Sequence, residues 1–170
     1  IRPYANDLED SIVFLGIIDF IRAKARFAQR IEAHLPSLEN DTILEWTDAR
    51  HPLLYLSFRE EDRTVVPLNI TLNEQQRILL ISGPNAGGKS VCLKTVGLLQ
   101  YMLQCGMLIP VDPASKAGVF KNLFIDIGDE QSIENDLSTY SSHLLNMKHF
   151  TKSANEKTLV LIDEFGTGTE

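Results

Sequence analysis

The run Gly83-Pro84-Asn85-Ala86-Gly87-Gly88-Lys89-Ser90 is where residue types and spacing first point to chemistry. It fits the phosphate-cradle pattern G-x-x-x-x-G-K-[ST] at every fixed position. Glycines allow successive backbone N–H groups to turn inward around an anion. A helix opening at Lys89 adds the partial positive charge of its amino end. In such a cradle Lys89 reaches the β- and γ-phosphates of a triphosphate, and the Ser90 hydroxyl ligates Mg²⁺. Contacts to the nucleotide are expected from Gly83 through Val91. A flexible surface loop could share this composition. The apolar stretch 78–81 leading in and the helical pattern leading out favour the cradle.

A second constellation lies downstream. Residues 158–162 are apolar throughout and run into Asp163-Glu164. In α/β sheets ligands bind beyond the carboxyl ends of the strands, where these acids would stand. Asp163 is a candidate to hold Mg²⁺ through water, and Glu164 to polarise an attacking water as general base. An isolated Asp-Glu after a strand is better explained as a solvated turn. Its company with a complete phosphate loop favours the functional reading. A base beside the metal-ligating Asp indicates hydrolysis, and no acceptor-binding lid is visible between the two motifs.

The elements that must position these groups follow from periodicity. Residues 6–34 are expected as one long helix, with Phe14, Ile18, Ile21, Ala25 and Ala28 on one face and Pro36 ending it. Short apolar runs at 43–46, 53–58, 64–66 and 68–72, split by charged turns, predict an antiparallel β meander. Residues 78–81 are expected as a buried strand and 89–105 as a helix closed by Gly106. A strand over 124–127, a helix over 141–154 with Tyr140, Leu144 and Met147 on one face, and a strand over 158–162 complete the pattern. Strands alternating with helices predict an α/β fold with a mainly parallel sheet and flanking helices. The antiparallel β subdomain precedes it. The expected division is a helical arm over residues 1–36 and a globular domain over 37–170.

Composition narrows the function classes. The chain has 170 residues, 44% hydrophobic and 23% charged, which suits a single globular domain and excludes wholesale disorder. Its net charge of −7 lacks the basic excess of a free-standing nucleic-acid binder, so contact with DNA or RNA is expected to depend on regions outside this chain. No apolar run has the ~18 residues of a membrane helix. Cys92 and Cys105, on one expected helix, would lie roughly 20 Å apart, too far to bond. That favours a reducing compartment, most simply the cytoplasm. The chain opens at Ile1 and stops at Glu170 without a visible end signal, and is expected to be a fragment.

At this point the motifs resemble a known family. Residues 82–90 and the tail Asp163-Glu164-Phe165-Gly166-Thr167-Gly168-Thr169 are similar to the nucleotide site of the MutS ATPases. Residues 126–133 and 137–143 resemble the second type of MutS protein, which lacks the mismatch-reading domain. Arg50-His51-Pro52-Leu53 resembles the start of that family's ATPase domain, and the preceding helix the last helix of its lever segment. The resemblance implies a P-loop NTPase fold of the ABC type, with ATP and Mg²⁺ as cofactors. It implies a homodimer with two composite ATP sites, in which Ser138 contacts the γ-phosphate held by the partner subunit. From the residues alone, Ser138 and Thr139 are an ordinary helix cap. The resemblance further implies that Asn85 orients the attacking water or contacts the γ-phosphate. Gln131 is a candidate for coupling the site to the rest of the domain, or a solvated loop residue. Where mismatch-repair relatives stack adenine on a phenylalanine, Val65 stands here, so apolar contact would replace stacking. The family's switch histidine falls beyond Glu170, and His143 and His149 are expected at the surface or in packing. The fragment alone is therefore expected to hydrolyse ATP poorly.

The function implied is an ATP-driven clamp in DNA mismatch repair, control of recombination or rescue of stalled ribosomes. DNA or ribosomal RNA would be reached through other regions, sometimes with a C-terminal nuclease module, and no membrane is involved. Two alternatives stay open: a nucleotide-binding switch with little turnover, and a small-molecule kinase on the same phosphate loop.

Overall fold

Helix α1 (Ala5–Arg30) is 26 residues long, roughly 39 Å at 1.5 Å per residue. The computed structural model describes residues 4–83, 87–127 and 136–163. Most of α1 stands away from the core: Phe14 is 61% exposed and Ile21 56%. Only its carboxyl end packs inward, through Ala28 and the fully buried Ile31 that follows it. The face expected over Phe14, Ile18, Ile21 and Ala25 is thus uncovered among the described residues. Lys24 Nζ donates to the carbonyl of Cys105 at 2.8 Å, at the carboxyl end of helix α3 (Lys89–Gln104). A cation there satisfies a carbonyl that the helix leaves unpaired and complements its dipole.

The chain then forms β1 (Ser37–Glu39), β2 (Leu44–Ala49), α2 (Pro52–Glu60) and β3 (Leu68–Leu72) ahead of α3. After α3 come β4 (Lys116–Gly118), β5 (Asn122–Asp126), α4 (Asp136–Ser153) and β6 (Thr158–Ile162). The result is a mixed α/β structure with two sheets. The four-stranded one has the order β1-β4-β2-β3, and the two-stranded one pairs β5 with β6. β2 is antiparallel to both β3 and β4, whereas β1 runs parallel to β4. β5 and β6 are parallel over their whole length, Asn122 opposite Thr158 and Asp126 opposite Ile162.

Three expectations are corrected here. The apolar run 53–58 is helix, not strand. His51 caps α2, its Nδ1 accepting from the Leu54 amide at 3.4 Å, and Pro52 opens the first turn with its φ already helical. These start signals outweigh the apolar run. The expected antiparallel meander is instead one mixed sheet that recruits β4 from beyond α3. A three-residue strand carries no periodicity; it exists only because its partners hold it. The expected strand at 78–81 is absent as well. Ile78 is 91% exposed and Leu80 88%. A strand needs a neighbour to complete its hydrogen-bond ladder. Here a cavity of about 530 Å³, lined by Leu79, Ile81, Val96, Leu159 and Leu161 among others, separates this segment from β6. Of the expected mainly parallel sheet, the described residues therefore form only the β5–β6 pair.

One core joins both sheets through α3. Leu44, Trp46, Ile70 and Ala117 come from the four-stranded sheet, and Leu159 and Leu161 from β6. Val96, Leu99, Met102 and Leu103 of α3 lie between them. Their 3, 4 and 7 spacing puts these α3 side chains on one helical face. A glutamine pair fastens the same helix to the loop after β4. Gln100 Nε2 donates to Gly118 O at 2.9 Å and to Gln104 Oε1 at 2.8 Å, and Gln104 Oε1 also accepts from the Phe120 amide at 2.9 Å. Gly106, at φ +69°, closes α3 in the left-handed conformation glycine tolerates.

At the root of the arm, Arg50 pairs with Glu32 and Asp48. Tyr55 donates a hydrogen bond that, with Arg50, holds the Glu32 carboxyl below its ordinary pKa, and the Tyr55 phenol is raised in turn. His51, beside them, is pushed down by burial and by the charge of Lys94.

Two predictions follow from this packing. A Cβ at Gly118 would overlap the Asp41 carbonyl oxygen and lie 2.7 Å from Ile43 N. Both are backbone atoms that cannot swing aside. Gly118→Ala is expected to destabilise the chain by about 2–3 kcal/mol, read as a lower denaturant midpoint at unchanged slope. The lowered His51 pKa means the folded chain favours the neutral ring, so stability rises with pH between the folded pKa and the unfolded value of about 6.5. Stability is expected to fall as pH drops below that value. In His51→Asn, which can still cap the helix but does not titrate, that acid step disappears from unfolding curves taken across the range.

Candidate functional site

The described phosphate-loop residues from Gly87 to Ser90 lie at the amino end of α3. Gly88 is the N-cap, in the left-handed conformation at φ +83°, and its carbonyl accepts from the Cys92 amide at 2.9 Å. Having no side chain, Gly88 offers the first turn no capping oxygen. That turn contains no acidic residue either. The first amides of a helix have no partner within it. Among the described residues Gly88 supplies no side-chain acceptor and the first turn no acid, an arrangement that suits an anion. Gly87, Gly88, Ser90 and Val91 are exposed and Lys89 is half-buried. Gly83 lies at the near end of the loop. Pro84, Asn85 and Ala86 lie outside the described residues.

The carboxylate motif occupies the end of β6. Asp163 follows Ile162 directly, is buried, and donates its backbone N–H to the Asp126 carbonyl at 2.9 Å. Glu164 lies outside the described residues, as does Gln131. Ser138 lies in the first described turn of α4, within the helix and not ahead of it as expected; its side chain is outside the described residues. Val65 is half-buried, and the next residue, Val66, is 89% exposed.

A feature missed by sequence reasoning stands beside Asp163. The Asp126 side chain is buried at the carboxyl end of β5. Its Oδ2 accepts from His143 Nδ1 at 2.7 Å and its Oδ1 from Asn146 Nδ2 at 2.9 Å. A carboxylate only accepts, so the ring carries its proton on Nδ1. His143 is therefore a hydrogen-bonded partner and not the surface or packing residue expected. His149 does pack, its ring 5.3 Å from Phe124, which stacks on Phe150 at 5.0 Å. The inward face of α4 thus carries His143, Asn146 and Phe150, while Leu144 is 52% exposed. The expected face through Leu144 is corrected. A buried carboxylate demands donors, and that demand outweighs the burial of one leucine. A signal was present in the sequence: both parallel strands end in Ile-Asp, at Ile125-Asp126 and Ile162-Asp163.

The donors suit a hard divalent cation. A serine hydroxyl and a carboxylate supply oxygen, and Mg²⁺ is typically held by one or two carboxylates with phosphate and water completing its shell. Among the described residues no three His, Cys, Asp or Glu side chains cluster to hold a metal by themselves. Cys92 and Cys105 are both free, at opposite ends of α3, and burial raises the Cys92 thiol. Among the described residues no helix is long and apolar enough to cross a membrane.

Comparison with known proteins agrees with this arrangement. The chain is 44% identical over 165 residues to a protein named Endonuclease MutS2 from Carboxydothermus hydrogenoformans, covering 97% of this chain and 20% of that protein. Proteins of the same name from Lactiplantibacillus plantarum and Finegoldia magna are 44% and 46% identical over 170 and 168 residues, covering 100% and 96% of this chain. In both cases 21% of the relative is covered, so the chain spans about a fifth of the length of the curated relatives it matches. The profile of MutS domain V matches residues 79–170, which takes in the phosphate loop, the Asp126 clamp and Asp163. On that match the chain belongs to the MutS family, through its domain V.

Proposed function

We propose that this chain is the ATP-binding and ATP-hydrolysing part of a MutS-type protein, built on a P-loop NTPase fold. The observation that carries the reading is the amino end of α3. A complete phosphate-loop sequence meets there a left-handed glycine cap and a first turn free of acids. The buried Asp163 at the end of β6 supplies the carboxylate that such a site needs.

In this reading residues Gly83 to Val91, Pro84, Asn85 and Ala86 included, contact the triphosphate. Lys89 would neutralise the β- and γ-phosphates. Ser90 and Asp163 would hold Mg²⁺, which would supply positive charge to offset that of the phosphate oxygens. Glu164 takes the proton of a water attacking the γ-phosphate in line, and Asn85 orients that water. Most of the barrier reduction comes from fixed positive charge around the phosphate, so the rigidity of α3 in the core matters directly. Ser138 acts in trans, its helix directed at the γ-phosphate held by a second copy, which makes the working unit a homodimer. α1 then serves as the arm linking nucleotide state to the remainder of the polypeptide. The polymer handled, DNA or the ribosome with its RNA, is met by regions beyond this acidic chain. About four fifths of each relative's length lies outside the match, and such regions have room there.

Two substitutions test the assignment. Lys89→Ala removes a charged hydrogen-bond donor from the phosphates, a loss of about 2–3 kcal/mol and so roughly a 30- to 150-fold weaker ATP Kd by titration. Unchanged affinity would remove the phosphate loop from the account. Glu164→Gln is expected to bind ATP as before while turnover falls by about 10²–10⁴-fold. Normal hydrolysis by that variant would exclude Glu164 as the base.

A further inference from the structure

The Asp126 carboxylate has no place in the chemistry proposed above, yet it is the most fully engaged side chain near it. It is 6% exposed and satisfied on both oxygens by two residues of one helix, His143 and Asn146. Its own carbonyl accepts the Asp163 amide. Burying a carboxyl group is unfavourable unless its hydrogen bonds are made, and among the described residues both side-chain donors come from α4. The same residue thus touches the metal-binding end of β6 through its backbone and α4 through its side chain. Apolar packing of Phe124 on Phe150 lies two helical turns away and would by itself leave the amino half of α4 free to roll. His143 stands five residues from Ser138, about 7.5 Å along the helix axis.

We propose that Asp126, with His143 and Asn146, is a positioning clamp that fixes the amino half of α4 relative to Asp163. It would thereby set the geometry between a chain's own metal-binding carboxylate and the Ser138 turn offered to a partner's nucleotide. Asp126 does not touch the reacting atoms; it acts through Asp163 and α4. The inference rests on the ATPase reading for its consequence, and on the hydrogen bonds at Asp126 for the clamp itself. It follows that loosening the clamp lowers turnover and leaves nucleotide affinity, which belongs to α3, largely intact.

The test compares His143→Ala, His143→Asn and wild type in the intact protein. ATP Kd is measured by equilibrium titration, kcat and KM in steady state, and backbone amide exchange along α4. His143→Ala is expected to lower kcat roughly 10- to 100-fold with Kd changed less than about threefold, the scale typical when a group supporting a metal ligand is removed. Exchange within α4 should quicken. His143→Asn, whose amide can donate where Nδ1 does, should recover most of the turnover. Wild-type kcat in His143→Ala would overturn the proposal. So would an equal loss in kcat and Kd that His143→Asn does not restore, since that marks general destabilisation. If His143→Ala does not fold, Asn146→Ala, which keeps the shorter bond, is expected to show the same split with a smaller loss. Absence of ATP binding or turnover in wild type would instead refute the ATPase reading. Amide exchange then judges the clamp alone, and unchanged protection of α4 in the variants would overturn it.

Discussion

Helix α3 is buried along one flank and capped at its amino end by a glycine, and the rest of the structure depends on both conditions holding together. Val96 and Leu99 on its flank share one core with Trp46 and Leu44 of the four-stranded sheet and with Leu159 and Leu161 of β6. Its amino end is closed by a glycine that supplies no acceptor. A helix held only by propensity frays at an end that no side chain caps. Tertiary packing along the flank holds this one.

The opposite end of α3 is treated in reverse. Gly106 takes the left-handed turn and Lys24 caps the Cys105 carbonyl, so the carboxyl end is satisfied from within the chain. The donor comes from α1, whose other contacts are few. Helix α1 is thus joined to the carboxyl end of α3 by Lys24, and to the four-stranded sheet by Ile31 and the Glu32–Arg50–Asp48 group at its root. A movement of α1 would be felt first at these two places. Both connect through α3 or β2 to the core that holds the phosphate loop.

The carboxyl ends of β5 and β6 show a different balance. Parallel pairing sets Asp126 opposite Ile162, so that Asp163 follows at the end of the neighbouring strand. The structure separates their fates. Asp126 is turned onto α4, where His143 and Asn146 hydrogen-bond its two oxygens, and Asp163 is buried at the end of β6.

How much of this was legible in the sequence depends on how local each cause is. The phosphate loop, the limits of α3 and the strand β6 were evident from the chain itself. Glycine conformations, helical spacing and an unbroken apolar run act within a few residues. The Arg50-His51-Pro52 start of α2 was equally local, but the apolar run 53–58 misled because an apolar stretch does not by itself distinguish strand from helix. β1 and β4 could not be foreseen, since three residues acquire strand character only from the partners they meet. Residues 78–81 failed in the opposite sense: their composition is that of a buried strand, but among the described residues no neighbour pairs with them to complete the ladder. The Asp126 clamp belonged to tertiary structure as well. Histidine and asparagine on a helix look like surface residues until a buried carboxylate on another element is found to need them.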